Sequence, residues 1–450
     1  MTWTSALESA RAERSESKRP GKVSDGKVNS WRRGLLLNEE GAPRSNLANV
    51  MHVLANHPEW LGKLAYDDFA QTIIKAGKVP VRDSDAPLRE TESEWTETDS
   101  IRTAAWMQAN ELHVQPPVVT QAVLAIAERH RVHPVREWLG TLIWDEVPRL
   151  DTMLSAYFGA EATTYTAAVG SRWMVSAVAR VFEPGCKADC MLVFESPQGW
   201  RKSSGLQALC EEVPWFADTP LDLGSKDGYQ SIRRKWIYEI GELDAFKGKD
   251  VTKIKSFVSA QSDNYRPSYA QRNRDFPRQV VFAGTTNESE YLADRTGNRR
   301  FWPVACRRSV DVEGIRRDRA QLWAEALHRY RTGERWYVDT LELRRLCEAE
   351  QEARTQADPW TPLIAQWLAA PAQAALPSNG ATTAEVLAGA LHLEPSRMGR
   401  SEETRIGYVL RDLKWSRRRV RENGVRVYRY FPASPDQPDA LSVGASGEHE

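Results

Sequence analysis

The sequence predicts an α/β core with a small helical domain ahead of it and a compact helix–helix–hairpin domain behind it. Three observations carry this expectation. Short β-type runs alternate with helical stretches between about residues 135 and 345. The segment ahead of them shows only helical spacing, and a basic helix–helix–hairpin pattern follows a linker rich in Ala, Pro, Gly and Ser.

Taken in order, residues 1–30 are polar, lack periodicity and read as a disordered basic arm. Residues 31–134 read as the N-terminal helical domain. "RSNLANVMHVLANHPEW" sets Leu47, Val50, Met51, Val53 and Leu54 at helical spacing behind an Asn46 cap, and two further helices follow the acidic loop 83–100. Residues 135–345 form the core candidate, in which "CMLVFES", "WIYEI" and "RQVVFAGTTN" are the strands. Residues 346–380 read as a charged helix and a linker. In 381–432, two helices, the second capped by Ser401, precede a hairpin around Asn423-Gly424, the order of a winged helix. The tail 433–450 is acidic and reads as disordered.

The chain of 450 residues carries 61 Lys+Arg against 61 Asp+Glu, so overall charge neither argues for nor excludes a nucleic-acid partner; only local charge can. No run approaches the roughly 18 apolar residues of a membrane span, and the N-terminus has no apolar signal region. The five cysteines, Cys186, Cys190, Cys210, Cys306 and Cys347, are odd in number and scattered. They are expected as free thiols in a reducing, cytoplasmic setting.

The chemistry concentrates in the core. In "MLVFESPQGWRKSSGLQAL" a strand, a loop and a helix beginning Lys-Ser have the layout of a phosphate-binding loop. Gln198, Gly199, Trp200, Arg201, Lys202, Ser203 and Ser204 would wrap the phosphates of ATP, with Lys202 neutralising the outer ones and Ser203 holding Mg²⁺. A glycine-rich loop would have glycine at 196 and 201, where this chain has Ser196 and Arg201. An arginine does not take a glycine-only conformation cheaply, so a differently shaped loop is expected, or an added cationic phosphate contact.

Thirty-seven residues beyond Lys202, a hydrophobic run leads into Glu239 and then Glu242. A carboxylate ending a buried strand beside the phosphate-loop strand suits Mg²⁺ coordination and water activation; the alternative is an edge strand with solvated glutamates. The third run ends in Thr285-Thr286-Asn287, where Asn287 either senses the γ-phosphate or makes an Asx-turn. Arg299 and Arg300 precede an apolar run and are either an arginine finger offered to a neighbouring subunit or a surface ion-pair couple.

In this order and spacing, "PGCKADCMLVFESPQGWRKSSGLQAL", "KWIYEIGELDAF", "DNYRPSYAQRNRDFPRQVVFAGTTNESEYL" and "GNRRFWPV" resemble the virulence-associated protein E family, helicase-like ATPases of phages and mobile genetic islands similar to superfamily 3 helicases. The resemblance covers roughly residues 31–430. It implies an α/β P-loop (AAA+-like) ATPase core using ATP and Mg²⁺, in a homo-oligomer, a hexameric ring. It implies Lys202 and Ser203 in the P-loop, Glu239 and Glu242 as the acidic motif, Asn287 as sensor and Arg299 or Arg300 as finger. Some relatives carry a primase domain with paired aspartates on a strand; "VRDSDAP" offers Asp83 and Asp85, but they open a polar loop, so priming is expected from a separate partner.

DNA is expected at two places. "SDNYRPSYAQRNRDFPRQ" interleaves Arg266, Arg272, Arg274 and Arg278 with Tyr265 and Tyr269, which suits single strands in a ring channel. The C-terminal piece holds Arg405, Arg411, Lys414, Arg417, Arg418, Arg419, Arg421 and Arg426, which suits duplex DNA; a protein-docking winged helix is the alternative. Three functions compete: an ATP-driven DNA helicase of a mobile element, a DNA-binding NTPase switch without processive unwinding, and a non-enzymatic adaptor with a degenerate P-loop. Lys202, Glu239, Glu242 and Asn287 together argue against the third.

Overall fold

The computed structural model describes residues 30–80, 94–243, 249–266, 272–292, 297–356, 358–373, 376–394, 397–422 and 425–433. Residues 1–29 of the arm, Asp83, Asp85, Tyr269, the Asn423-Gly424 turn and the tail beyond 433 lie outside them. Two compact units divide the chain, 1–354 and 355–450.

The first unit opens with α1 (Leu47–Asn56), capped as expected by the Asn46 side chain accepting from the Asn49 N–H at 2.9 Å. Strands β1 (Leu64–Asp67) and β2 (Thr72–Lys75) follow, then α2 (Glu97–Ala109), α3 (Pro116–Ala127) and β3 (Arg131–Val132). Val50, Val53 and Leu54 pack with Val119, Ala122, Val123 and Ala127 in a single buried cluster. The expectation of a purely helical segment is thus corrected: a three-stranded sheet of order β2-β1-β3 lies among these helices. The β1–β2 turn is made by Asp67 Oδ1, which accepts from the N–H groups of Phe69 and Ala70, and by Gln71 in the left-handed region at φ 55°. Neither feature belongs to the Asn-Gly vocabulary that marks hairpins in sequence, and four-residue strands show too little alternation to be read. This layer is tied to the core by Gln279, whose amide meets His133 Nε2 at 2.6 Å and donates to the Asp68 carbonyl at 2.7 Å.

The core continues with α4 (Pro134–Thr141), α5 (Thr164–Phe182), β4 (Met191–Glu195), α6 (Lys202–Ala208), β5 (Phe216–Ala217), β6 (Ile237–Ile240), α7 (Lys249–Ser259), β7 (Ser262–Tyr265), β8 (Arg274–Pro277), β9 (Val281–Thr286), β10 (Phe301–Ala305), α8 (Val312–Arg331) and α9 (Leu341–Ala353). Five strands form one parallel sheet in the order β10-β4-β9-β6-β5. Alternate residues of each strand face opposite layers. Leu192, Phe194, Ile237 and Ala283 join Trp173, Met174 and Trp323 on one side, whereas Val193, Tyr238 and Phe282 meet Ile254, Phe257 and Val258 on the other. Coverage on both faces is why these strands read as continuous apolar runs. The buried indoles are satisfied where they bridge layers: Trp173 Nε1 donates to the Phe282 carbonyl and Trp236 Nε1 to that of Ala177, both at 2.9 Å.

One point of topology departs from expectation. The acidic strand β6 is not beside β4; β9 lies between them. All six residues of β9 are buried, and a Cβ added at Gly284 would meet Leu243 Cδ1 at 2.3 Å, so this strand suits the crowded centre of the sheet. Pro303, which has no N–H to give a ladder, sits on the edge strand β10.

The second unit contains α10 (Trp360–Ala369), α11 (Thr383–Leu391), α12 (Arg400–Asp412) and an antiparallel hairpin of β11 (Trp415–Glu422) and β12 (Val425–Pro432). Ile364, Val386, Leu387, Ile406, Val409, Leu410, Trp415 and Tyr430 make its core. The stretch expected as linker therefore includes a packed helix, α10. The cap of α12 is Gly399 rather than Ser401, with the Glu402 carboxylate accepting the Gly399 N–H at 3.0 Å.

Candidate active site

The phosphate loop leaves the C-terminal end of β4 and enters α6 at Lys202. Gly199 takes φ 86°, a conformation glycine adopts freely. Arg201 takes φ 62°, ψ 28°, so the expectation that arginine would reshape the loop is corrected: the left-handed turn is kept, at a cost on the order of 1 kcal/mol. The Arg201 side chain points outward, its nearest acidic partner being Glu313 at 3.7 Å, both well exposed. Lys202 is buried, and its ammonium donates to the Ser196 carbonyl at 2.7 Å, to Ser196 Oγ at 3.0 Å and to Asn287 Oδ1 at 3.1 Å.

Ser203, one residue on, donates to Glu239 Oε1 at 2.8 Å, and Thr285 Oγ1 donates to the same oxygen at 2.6 Å. Glu239 is only 2 % exposed, and its second oxygen, Oε2, is buried without a hydrogen-bond partner among the described residues. Burial pushes this carboxyl above its ordinary range, while the Thr285 and Ser203 hydroxyls pull it back. An unsatisfied carboxylate oxygen beside a serine hydroxyl suits a hard cation taking one or two protein oxygens and completing its shell with phosphate and water. Ser203 and Glu239 are the residues that could hold Mg²⁺; among the described residues, no cluster of three or more His, Cys, Asp or Glu offers a separate metal cage.

Gln198, Gly199, Trp200, Arg201, Lys202, Ser203 and Ser204 line one cavity with Glu242, Thr285, Thr286 and Asn287, of about 420 Å³. Glu242 is exposed on its rim, at φ 51°. The loop, the two glutamates and Asn287, which stands 85 residues from Lys202, are thus brought to one end of the parallel sheet.

Residues 139–356 match the family model of the virulence-associated protein E-like domain. This chain carries that domain. Among solved structures, it is similar to the apo structure of the NrS-1 C terminal region (305-718), at 10% identity over 82% of this chain and 96% of that one, with a TM-score of 0.47. It is also similar to the A form apo structure of the NrS-1 C terminal region-CTR, at 12% identity over 66% and 78%, with a TM-score of 0.39. None of the curated proteins matches.

The fold does not bring Arg299 and Arg300 to the candidate phosphate loop of the same chain. They immediately precede β10, whose Phe301 pairs with Met191 at the start of β4, whereas the phosphate loop leaves the other end of that strand. Five residues at about 3.3 Å each set the two ends roughly 16 Å apart. Arg300 is tied within the chain, donating to Ser259 Oγ and to the Gly297 carbonyl. Arg299 is exposed and lines a cavity of about 610 Å³ with Trp336, Tyr337 and Arg344.

Of the residues expected to meet single strands, Arg266, Arg272 and Arg274 are exposed on or beside the β7–β8 hairpin, at the end where residues 267–271 lie outside the description. Tyr265 and Arg278 are corrected to structural roles. Tyr265 is buried and stacks on Phe276 at 4.6 Å; Arg278 is buried, pairs with Asp263 at 2.6 Å and lies 4.2 Å over Phe257. In the second unit Arg417, Arg418 and Arg419 are exposed on β11, while Arg405 is held by Asp358 at 2.7 Å and lies 3.7 Å over Trp360. All five cysteines are free, and burial pushes the Cys186 thiol up to about 11.

Two site residues escaped the sequence reading. Thr285 was seen only as part of a polar strand tip, and its hydroxyl contact to Glu239 depends on β9 lying next to β6. Ser196 stands out in the sequence only as a missing glycine, yet it supplies two acceptors to the Lys202 ammonium.

Proposed function

We propose that this chain is an ATP-dependent, oligomeric DNA helicase acting in the replication of a phage or mobile genetic element. The observation that carries this reading is the convergence of Lys202, Ser203, Glu239 and Asn287 on one cavity, linked by the Ser203–Glu239 and Lys202–Asn287 hydrogen bonds. Lys202 would offset charge on the β- and γ-phosphates, Ser203 and Glu239 would hold Mg²⁺, Glu242 on the rim would act on the attacking water, and Asn287 would report the γ-phosphate. When bound, the metal would supply charge neutralisation at the phosphates.

The order of helices and hairpin in the second unit supports a winged-helix reading, and its exposed arginines support duplex DNA as partner. The arginines of the β7–β8 hairpin support a single-strand contact in the channel of a ring, for which six subunits are proposed. In the folded Lys202→Ala protein ATP hydrolysis should fall to background, because the transition-state charge loses its cation. Glu239→Gln should retain nucleotide while turnover stops. Normal hydrolysis by Lys202→Ala would remove the site assignment. A strand-displacement assay on the wild type separates a helicase from a switch that hydrolyses ATP without unwinding.

A further inference from the structure

In an antiparallel pair, directly opposed residues share a face and neighbours alternate. The β11–β12 register pairs Arg417 with Tyr430, Arg419 with Tyr428 and Arg421 with Arg426, which places four arginines on one face. The opposite face pairs Arg418 with Arg429 and Val420 with Val427. On that second face Arg429 is neutralised internally, donating to Glu422 and to Glu385, and Arg418 lies 5.4 Å over the ring of Phe431. On the first face Arg417, Arg419, Arg421 and Arg426 are exposed and form no ion pair among the described residues. Arg417 lies 3.6 Å over the ring of Tyr428, which is 47% exposed, and Arg419 lies 5.9 Å from it.

The helix ahead of the hairpin has a different surface. The first turn of α12 carries Glu402 and Glu403, and its Arg405 is already committed to Asp358 and Trp360. An acidic helix start repels phosphate. We infer that the second unit grips the phosphate backbone of duplex DNA with the Arg417/Arg419/Arg421/Arg426 face of its hairpin, and not with α12. Tyr428 acts here as a platform: with the guanidinium carbon 3.6 Å over its ring it holds Arg417 in place while the guanidinium N–H groups reach phosphate oxygens. Arg418, expected to act with its two neighbours, faces the other way and is outside this surface.

This inference rests on the DNA-binding reading above, and the test separates the two. Binding of the full chain to a duplex oligonucleotide is measured across salt concentrations. Each lost phosphate contact flattens the log K against log salt slope by about 0.9, so Arg417→Gln/Arg419→Gln/Arg421→Gln/Arg426→Gln should flatten it by about 3.6. Arg421→Gln/Arg426→Gln alone, at the outer end of the hairpin, should give about half of that. Arg400→Gln/Arg411→Gln on α12 should leave the slope unchanged. An equal or larger loss in the α12 variant overturns the inference while leaving DNA binding intact. Absence of binding by the wild type at low salt removes the DNA reading itself and the inference with it. Tighter binding to a single strand, abolished by Tyr428→Leu, would overturn phosphate gripping in favour of base stacking.

Discussion

At the scale of single residues, the deviations from a glycine-rich loop were legible but their meaning was not. Arg201 shows why: the sequence says that arginine is strained in the left-handed region, but only the fold says that the strain is accepted. Ser196 has a function that a pattern of glycines cannot express. Its hydroxyl and carbonyl, with Asn287, accept hydrogen bonds from the Lys202 ammonium. A phosphate entering the cavity has to take over at least one of these bonds. A hydrogen bond to a charged group contributes about 1.5–3 kcal/mol, so Ser196→Ala should leave the lysine easier to recruit and tighten nucleotide binding by roughly tenfold. Titration with a fluorescent ATP analogue reads this directly. Unchanged or weaker affinity would mean that the serine keeps its bond to Lys202 in the complex.

At the scale of elements, the fully buried strands β4, β6 and β9 are readable because continuous apolar runs between polar loops leave few alternatives. The two-residue β5 and the polar β7 and β8 carried no such signal, and the position of β9 between β4 and β6 is a property of the sheet rather than of any segment. Another joint lies wholly beyond pattern. Glu195, the last residue of β4 before the phosphate loop, is buried; it accepts from Arg354 Nε at 3.0 Å and from the Tyr291 hydroxyl at 2.8 Å. Arg354 ends α9, and its carbonyl accepts the Leu292 N–H. Three elements distant in sequence, the strand leading to the loop, the segment after the sensor and the end of α9, meet at this carboxylate. Breaking the pair by Arg354→Met leaves a buried charge and should cost about 3–5 kcal/mol, most of it recovered in Glu195→Leu/Arg354→Met. The pH dependence has a definite sign. Burial already raises the Glu195 carboxyl above its ordinary range, and losing Arg354 raises it further. The folded variant then keeps a proton that the unfolded chain releases, so its stability falls as pH rises. Thermal unfolding should therefore show the gap to wild type narrowing from about pH 8 to about pH 5. A gap independent of pH would show that Glu195 stays charged without its partner.

At the scale of the whole molecule, the chain's zero formal charge hides local concentrations of charge, and no composition statistic could place Arg417, Arg419, Arg421 and Arg426 on one face of β11–β12. The proposed oligomer would likewise depend on the placement of residues rather than on their identity. Arg299 stands at the start of β10, the end of the sheet away from its own phosphate loop, exposed and without a hydrogen bond or ion pair from its side chain among the described residues. A finger there can serve only a neighbour's nucleotide, whereas Arg300 is occupied inside the chain by Ser259. Arg299→Ala should therefore bind ATP normally and hydrolyse it at least a hundredfold more slowly, since a transition-state cation of this kind is worth about 10³–10⁵ in rate. Arg300→Ala should lose stability before it loses catalysis. Mixing decides between neighbours: Lys202→Ala protomers keep an intact Arg299, and Arg299→Ala protomers keep an intact P-loop. Wherever the first stands beside the second in the right order, one complete site is restored, so two dead preparations should regain partial ATPase activity on mixing. If mixed oligomers form, as read by light scattering and subunit exchange, and the mixture stays inactive, Arg299 does not act across an interface and the shared-site model fails.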